Sequence, residues 1–253
     1  ADEFDAGYEE FLAQHRRPPL LDKLRAVISG HPSIRWLLVV HDIYLADPML
    51  QAELPDFFFE VPQVGIRHLA RPFARQLVTD LSIHRGINFA AASPATEDLP
   101  DQIINWTAGN PYYIHVICRR LLTRMAREKR HLIRPQDLVL TIKWMLDRPV
   151  YFDHFTQYFR DHPVRLPIVL HLARTTSPGQ RQPLDPLRGD LAARLGLPLD
   201  QVTTHISFLE QLGILELTGD PQRREIGIPI QVLHQWIIQN WIDNPDSHEQ
   251  VRR

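Results

Sequence analysis

The sequence contains a single cysteine, Cys118, and only three lysines, Lys23, Lys129 and Lys143. One cysteine excludes an internal disulfide and any CxxC metal site. None of the three lysines follows a glycine, so the 253 residues contain no Gly-Lys-Ser/Thr phosphate-binding loop. The spacing of the histidines matches no HExxH-type motif either, and no metal other than Mg²⁺ is predicted.

Long hydrophobic runs and an excess of charge of one sign are also missing. The longest apolar run, Trp36 to Val40, is far shorter than the roughly 20 residues that cross a bilayer. The net charge of -2 argues against a surface built throughout to coat nucleic acid or anionic lipid. We therefore expect a soluble, cytoplasmic protein without a membrane segment.

The first 65 residues contain candidates for the elements of a parallel sheet. Residues 11–28 carry apolar side chains at helical spacing, interrupted early by Pro18-Pro19. The segment Trp36–Val40 does not alternate and is typical of a strand covered on both faces, with His41 and Asp42 at its carboxyl end. Residues 57–61 (FFFEV) predict a second short strand about a crossover's length later.

From residue 66 to residue 150 the apolar residues recur almost throughout at helical spacing, which predicts a small helical bundle. Three of its four predicted helices begin with proline at a first-turn position, where the missing N–H does no harm. The predicted helices are Ile66–Leu81, Pro94–Thr107, Pro111–Arg130 and Pro135–Leu146.

The last hundred residues have a different pattern. Predicted helices at 164–175, 185–196 and 200–212 are followed by two short strands around a Gly-Asp-Pro turn and by a last helix at 232–242. Asp200 is predicted to cap the third of these helices. The order of helix, helix, turn, helix and two-stranded wing is that of a winged helix, and we expect the linker before it within residues 147–163.

Four segments occur in the order found in a known family. They are ADEFD at the start, RWLLVVHD at 35–42, WTAGNPYYIHVICRRL at 106–121 and the winged-helix pattern at 164–242. Together they resemble P-loop ATPases of the STAND and AAA-like type, which include the NACHT and NB-ARC switches. In that family a strand ending in Asp-Glu, the Walker B motif, precedes a sensor strand, a helical lid and a winged helix.

The resemblance implies a mainly α fold with a partial α/β, parallel-sheet remnant of a P-loop NTPase. Its domains would be the rear of that core at 1–65, a helical lid at 66–150 and a winged helix at 151–253. The strand expected before Asp2 and Glu3 does not occur in the sequence, and we expect these carboxylates to have followed it in a longer protein. The alternative is an acidic terminus that binds nothing.

The resemblance also implies roles for individual residues in binding ATP or ADP with Mg²⁺. Asp2 would bind Mg²⁺ through water, and Glu3 would polarise the attacking water. His41 occupies the sensor position, where the family usually has Ser, Thr or Asn. The alternative for His41 is a solvated side chain at a strand end.

The lid segment contributes the remaining candidate residues. Gly109, Asn110 and Pro111 would contact the adenine or ribose, and Arg119 is a candidate phosphate contact. Helix capping is by itself sufficient reason for a Gly-Asn-Pro sequence between two helices. The alternative for Arg119 is a solvated position on an amphipathic helix.

Partners are less defined by the sequence. The predicted third helix at 200–212 has two carboxylates and no Lys or Arg, which disfavours DNA. We expect protein partners, with self-association left open, and no ATP hydrolysis by this chain alone, since it has no phosphate-binding loop. The alternatives are a winged-helix transcription regulator that binds DNA and a non-enzymatic interaction module.

Overall fold

The fold is described by a computed structural model for residues 68–83, 85–91, 97–160, 162–220 and 223–243. These residues belong to one compact unit that begins at Arg67. The unit is mainly helical and has two small sheets in its described part.

Several predictions fall outside these residues. They are the helix at 11–28, the strands at 36–40 and 57–61, and the site residues Asp2, Glu3 and His41. The predicted NTPase core therefore stays a prediction.

Four helices form the first half of the unit and pack against one another. They are α1 (Arg71–Ile83), α2 (Leu99–Thr107), α3 (Pro111–Glu128) and α4 (Pro135–Leu146). Their apolar faces share a core in which Ile103, Ile114, Ile117 and Met145 are fully buried. The helical periodicity of this part of the sequence thus predicted its secondary structure correctly.

The two helices predicted to begin at Pro111 and Pro135 do begin there. In both cases proline occupies the first turn, where an α-helix leaves its N–H groups without intrahelical partners. The predicted start of the first helix at Ile66 is wrong, because residues 68–70 are not helical and α1 begins at Arg71.

The predicted start of the second helix at Pro94 is also wrong. Asp98 is extended, and its carboxylate accepts a hydrogen bond from the N–H of Asp101 at 2.9 Å, so α2 begins at Leu99. The same carboxylate is paired with Arg75 of α1, which also reaches Asp101 at 2.8 Å. The cap and the ion pairs together fix the beginning of α2 against α1.

A short parallel sheet joins the ends of the bundle, and the sequence pattern did not predict it. β1 (Asn88–Phe89) pairs with β2 (Leu132–Ile133) in the register Asn88 to Leu132 and Phe89 to Ile133. It is distinct from the sheet predicted for the first 65 residues.

An ion pair between α3 and α4 lies beside β2. The carboxylate of Asp137 accepts hydrogen bonds from Arg130 at 2.7 and 3.0 Å and from the backbone N–H of Arg134 at 2.9 Å. Asp137 itself is almost fully buried. This carboxylate therefore closes the turn between the two helices as well as beginning α4.

Residues 147–163, predicted to be a linker, are instead part of the core. They contain a 3₁₀ turn (Pro149–Tyr151) and the short helix α5 (Asp153–Thr156). Phe152 and Phe159 are fully buried. Aromatic side chains in this segment fill the space between the bundle and the helices that follow, which is why the segment does not behave as a linker.

The second half of the unit consists of three helices and a three-stranded sheet. The order is α6 (Arg165–Thr175), β3 (Gln182–Pro183), α7 (Leu184–Leu195), α8 (Leu199–Gln211), β4 (Glu216–Thr218) and β5 (Glu225–Gly227). β5 lies in the centre, antiparallel to both β3 and β4. Strand β3 was not predicted, because two residues carry no detectable alternation.

The predicted caps in this half were partly right. Gly196 follows α7 in the left-handed conformation, with φ of 65°, as a helix-ending glycine should. The prediction that Asp200 caps α8 is wrong. The extended residue before α8 is Pro198, and Asp200 lies inside the first turn, where its charge still suits the helix dipole.

The last element connects the two halves. Helix α9 (Gln231–Ile237) continues into a π-helical turn (Ile238–Ile242) and contacts α2, α4 and α6. Its buried face includes Trp236, and Trp241 of the π turn is buried beside it. The indole of Trp236 stacks on Phe152 at 4.8 Å and lies 5.2 Å from the ring of Trp241. This aromatic junction makes the bundle and the C-terminal half a single packed body.

Candidate functional site: the turn between α2 and α3 and the adjoining cleft

The predicted Gly-Asn-Pro segment forms the tight turn between α2 and α3. The helix ends at Thr107, and Ala108 and Gly109 both have positive φ, 51° and 75°. Two consecutive residues in this region reverse the chain within a few residues. The left-handed cap is therefore Ala108, and Gly109 is the residue after it.

Gly109 is held against the chain that precedes α1. Its carbonyl oxygen accepts a hydrogen bond of 2.9 Å from the backbone N–H of Leu69. A Cβ at position 109 would lie 2.4 Å from the carbonyl oxygen of Leu69, closer than any side chain tolerates. Both the backbone conformation and this close approach therefore require glycine.

Asn110 is the N-cap of α3. Its side-chain oxygen accepts hydrogen bonds from the backbone N–H groups of Tyr112 at 3.1 Å and Tyr113 at 3.2 Å. Pro111 follows at the first position of the helix. Since the cap uses the two N–H groups that would otherwise attract an anion, the start of α3 is not a free phosphate site.

The amide nitrogen of Asn110 is the remaining polar group of this turn. It makes no hydrogen bond with the residues that the structure describes, and the side chain is only partly buried. An amide N–H can donate to the ring nitrogen of a base or to a ribose hydroxyl. The chemistry of the turn thus suits a neutral part of a ligand.

Arg119 is not part of this turn. It lies nine residues after Asn110 on α3, which corresponds to about 14 Å along the axis and to the opposite side of the helix. It is exposed, and no carboxylate of the described residues lies within 4.0 Å of its guanidinium. One ligand of ordinary size could not contact Arg119 and Asn110 together.

A cleft of about 280 Å³ adjoins the turn, and the sequence gave no indication of it. On the bundle side it is lined by Leu69, Ala108 and the α1–α2 side chains Arg71, Ile104 and Asn105. On the other side are the loop before β3, strands β4 and β5 and the start of α9. These lining residues are Gly179, Gln180, Arg181, Glu216, Gly227, Ile228, Pro229 and Gln231. No local motif could reveal a cleft whose two walls are 40 or more residues apart, because only the packing brings them together.

The charges around this cleft are paired with one another. Arg71 donates to the side-chain oxygen of Asn105 at 3.0 Å and lies 3.2 Å from Asp101. Arg181 is paired with Glu216 on the opposite wall. Because each guanidinium already has a carboxylate partner, the cleft suits a neutral polar group better than a phosphate.

Other chemistry is not supported in the described part of the chain. Burial raises the pKa of the Cys118 thiol to about 12, so this cysteine is a core residue rather than a nucleophile. Among the described residues, no group of three His, Cys, Asp or Glu side chains could hold a metal ion. No helix in the described ranges has the length and apolar character to span a membrane.

Comparison with known proteins does not identify a family. Neither the protein-family models nor the curated protein sequences compared with this chain match it.

Proposed function

We propose that residues 67–243 are the helical lid and winged helix of a STAND or AAA-like regulatory ATPase. In this proposal the protein binds ATP or ADP with Mg²⁺ and uses nucleotide turnover to switch the binding of a protein partner. A cytoplasmic location, expected from the single cysteine, is part of the same proposal.

The observation that carries the proposal is the topology of the C-terminal half. A helix, a strand, two helices and two further strands, with the last strand central in the sheet, is the arrangement expected of a winged helix. It directly follows a helical bundle whose second and third helices are joined by the Gly109–Pro111 turn. The resembled family has the same order of lid, Asn-Pro turn and winged helix.

The aromatic junction gives the proposal a mechanical consequence. Phe152 stacks on Trp236, and Tyr113 of α3 stacks on Phe155 at 5.8 Å. Since Tyr113 directly follows the turn, a displacement at the Gly109–Pro111 segment would be transmitted to the C-terminal half through packed rings. We therefore propose that lid and winged helix move together as one lever.

The described residues fit the neutral part of a nucleotide. The free amide N–H of Asn110 and the neutralised charges of the adjoining cleft suit a base or ribose. In the proposal Asp2 holds Mg²⁺ through water, Glu3 polarises the attacking water and His41 contacts the phosphates. Arg119 has no part in this site, because it lies on the far side of α3.

The sharpest test of the ATPase proposal is the sequence encoded upstream of Ala1. We expect a GxxxxGK[ST] motif about 60 to 100 residues before it. The protein that includes this motif should hydrolyse ATP, and Glu3→Gln should abolish turnover while leaving nucleotide binding intact. Hydrolysis by the 253-residue chain alone, or a longer protein with no such motif, would contradict the proposal.

DNA binding is a second candidate because a winged helix often reads DNA. Its reading helix would be α8, which contains no Lys or Arg. The nearby Arg188 of α7 donates to Thr203 and is paired with Asp185. Exposed arginines remain only at positions 223 and 224 of the β4–β5 turn. A gel shift at low salt should therefore show no complex, since neutralising phosphates dominates DNA affinity.

A non-enzymatic interaction module with the same architecture is the third candidate. The histidine at the sensor position favours it, because the resembled ATPases usually have Ser, Thr or Asn there. The two proposals differ in one measurement. An interaction module would bind its partner equally well with ATP, with ADP and with neither, whereas a switch would not.

A further inference from the structure

Two arginines and two aromatic side chains form an accessible surface where α3, α4 and the 3₁₀ turn meet. We call Arg120, Trp144, Arg148 and Tyr151 the arginine–tryptophan surface. The guanidinium carbons of Arg120 and Arg148 lie 4.3 and 4.6 Å from the centre of the Trp144 ring. The ring of Tyr151 lies 5.2 Å from Trp144.

The two guanidiniums are held in place without a carboxylate. Arg148 donates to the backbone carbonyl of Trp144 at 2.8 Å, which satisfies one of the last acceptors of α4. Arg120 is oriented by the indole. In the described part of the chain, no carboxylate lies within 4.0 Å of either one. Arg75, Arg124 and Arg130 of the same bundle, in contrast, are paired with carboxylates.

Apolar side chains extend this surface. Leu140 lies one helical turn before Trp144 on the same face of α4, and Val150 directly precedes Tyr151. Val150 is 66% exposed and Leu140 is 48% exposed. Immobilised arginines and tryptophan beside exposed aliphatic residues have the composition of a protein-binding hot spot.

The charges indicate the chemistry of the occupant. Two arginines without acidic partners complement carboxylates, and the aliphatic rim complements apolar side chains. Asp147 and Asp153 lie close by in the sequence and are exposed. They would repel a nucleic acid, which carries a charge at every phosphate, more strongly than a peptide with one or two well-placed carboxylates.

We propose that the arginine–tryptophan surface binds a short peptide segment of a partner protein in which glutamate or aspartate alternates with leucine or phenylalanine. The carboxylates pair with Arg120 and Arg148, and the apolar residues cover Leu140 and Val150. The surface is complete in the described residues and needs no nucleotide. This goes beyond the proposed ATPase, and each proposal can fail without the other.

The test is fluorescence anisotropy with the whole 253-residue chain, without nucleotide. The probe is a labelled synthetic peptide in which Glu alternates with Leu and Phe, and its control carries Gln in place of every Glu. We expect micromolar binding of the acidic peptide and at least about tenfold weaker binding of the control. Equal binding of the two peptides, or no binding at about 1 mM, would overturn the proposal.

Two pairs of substitutions locate the site. Arg120→Gln with Arg148→Gln should weaken binding of the acidic peptide at least about tenfold. Arg127→Gln with Arg174→Gln makes the same change of charge at exposed positions elsewhere and should leave the affinity within about twofold. An equal loss in both variants would show that net charge alone attracts the peptide, and the proposed site would be wrong.

A third variant protects the test against a folding defect. Val150→Ala changes no charge at a largely exposed position, and it should weaken binding about threefold while the thermal midpoint stays unchanged. Full affinity in this variant would contradict the proposed rim. Competition by a single-stranded oligonucleotide, or a dimer that Arg120→Gln with Arg148→Gln dissociates, would assign the surface to nucleic acid or to a second copy instead.

Discussion

Phe152 and Trp236 stack with their ring centroids 4.8 Å apart and their planes inclined by only 17°, although 84 residues separate them in the sequence. Phe152 follows the helical bundle, and Trp236 lies on the helix that closes the C-terminal half. Both are almost fully buried. This pair therefore joins the two halves of the unit, and its removal should affect the whole unit.

Phe152→Ala should lower the free energy of unfolding by about 3 to 5 kcal/mol, because it leaves a cavity between the two halves. Urea unfolding monitored by circular dichroism measures the loss. Phe73→Ala is the matched control: Phe73 is 65% exposed, and its removal should cost less than about 0.5 kcal/mol. Similar losses in both variants would show that the stack does not hold the halves together.

Gly109→Ala should be much more destabilising than Gly86→Ala. Both glycines have positive φ, 75° and 63°, so either alanine should cost about 1 kcal/mol or more for the backbone conformation. Only the Cβ at position 109 would also clash with Leu69, whereas nothing lies within 4 Å at position 86. We expect a further loss of about 1 to 3 kcal/mol at position 109, measured as the difference in urea unfolding.

The sequence predicted helix ends well where a single residue decides the backbone conformation. Pro111 and Pro135 fix φ for the first turn, and Gly196 adopts the left-handed conformation at a helix end. It failed where two polar residues compete for a cap. Asp98 was overlooked and Asp200 was wrongly chosen, since capping depends on which residue the preceding chain holds extended.

Contacts between distant segments were beyond what the sequence could predict. The two-residue strands Asn88–Phe89 and Leu132–Ile133 are too short to show a period, and they exist because the bundle brings them together. The polar and aromatic mixture around Phe152 suggested a linker, whereas its burial depends on the later Trp236. The cleft beside the Gly109–Pro111 turn likewise needs both halves in place.

Asn110→Ala should lower the free energy of unfolding by about 1 kcal/mol, because α3 loses its cap. Asn110→Asp keeps the acceptor oxygen and should cost much less, although it removes the free amide N–H. The same pair separates capping from nucleotide contact in the proposed ATPase. If Asn110→Asp is stable but weakens nucleotide binding, the amide N–H contacts the ligand, and unchanged binding would exclude that contact.

Asp137→Asn should destabilise the bundle by about 2 to 4 kcal/mol, because Arg130 loses its buried carboxylate partner. Burial acts to raise the pKa of Asp137, but the hydrogen bonds from Arg130 and the Arg134 N–H outweigh it and hold the pKa below its ordinary value. A depressed native pKa means that this stabilisation is present above the unfolded pKa of about 3.9 and is lost as pH falls through the native pKa. Urea unfolding between pH 5 and pH 2 should therefore show a smaller acid-induced loss in Asp137→Asn than in the wild type.

The buried His234 should make the protein less stable in mildly acidic solution. Its Nε2–H donates to the carbonyl oxygen of Ala173 at 3.2 Å, and burial is the main cause that lowers the pKa of His234. The unfolded chain, with a pKa of about 6.5, therefore binds the proton at a higher pH than the native chain does. The free energy of unfolding should then decrease as pH falls from about 6.5 towards the native pKa.

The histidine at position 171 complicates this measurement, because burial, with a smaller contribution from Arg194, also lowers its pKa. Single and double substitutions separate the two contributions: His234→Gln and His171→Gln should each flatten the dependence of stability between pH 7 and pH 5, and together they should remove most of it. The His234 variant should also lose stability at pH 7, because Gln cannot fill the same buried position without repacking. A stability profile that keeps its full slope in the double variant would mean that neither ring is held neutral by the fold, and that the descent towards pH 5 has another origin.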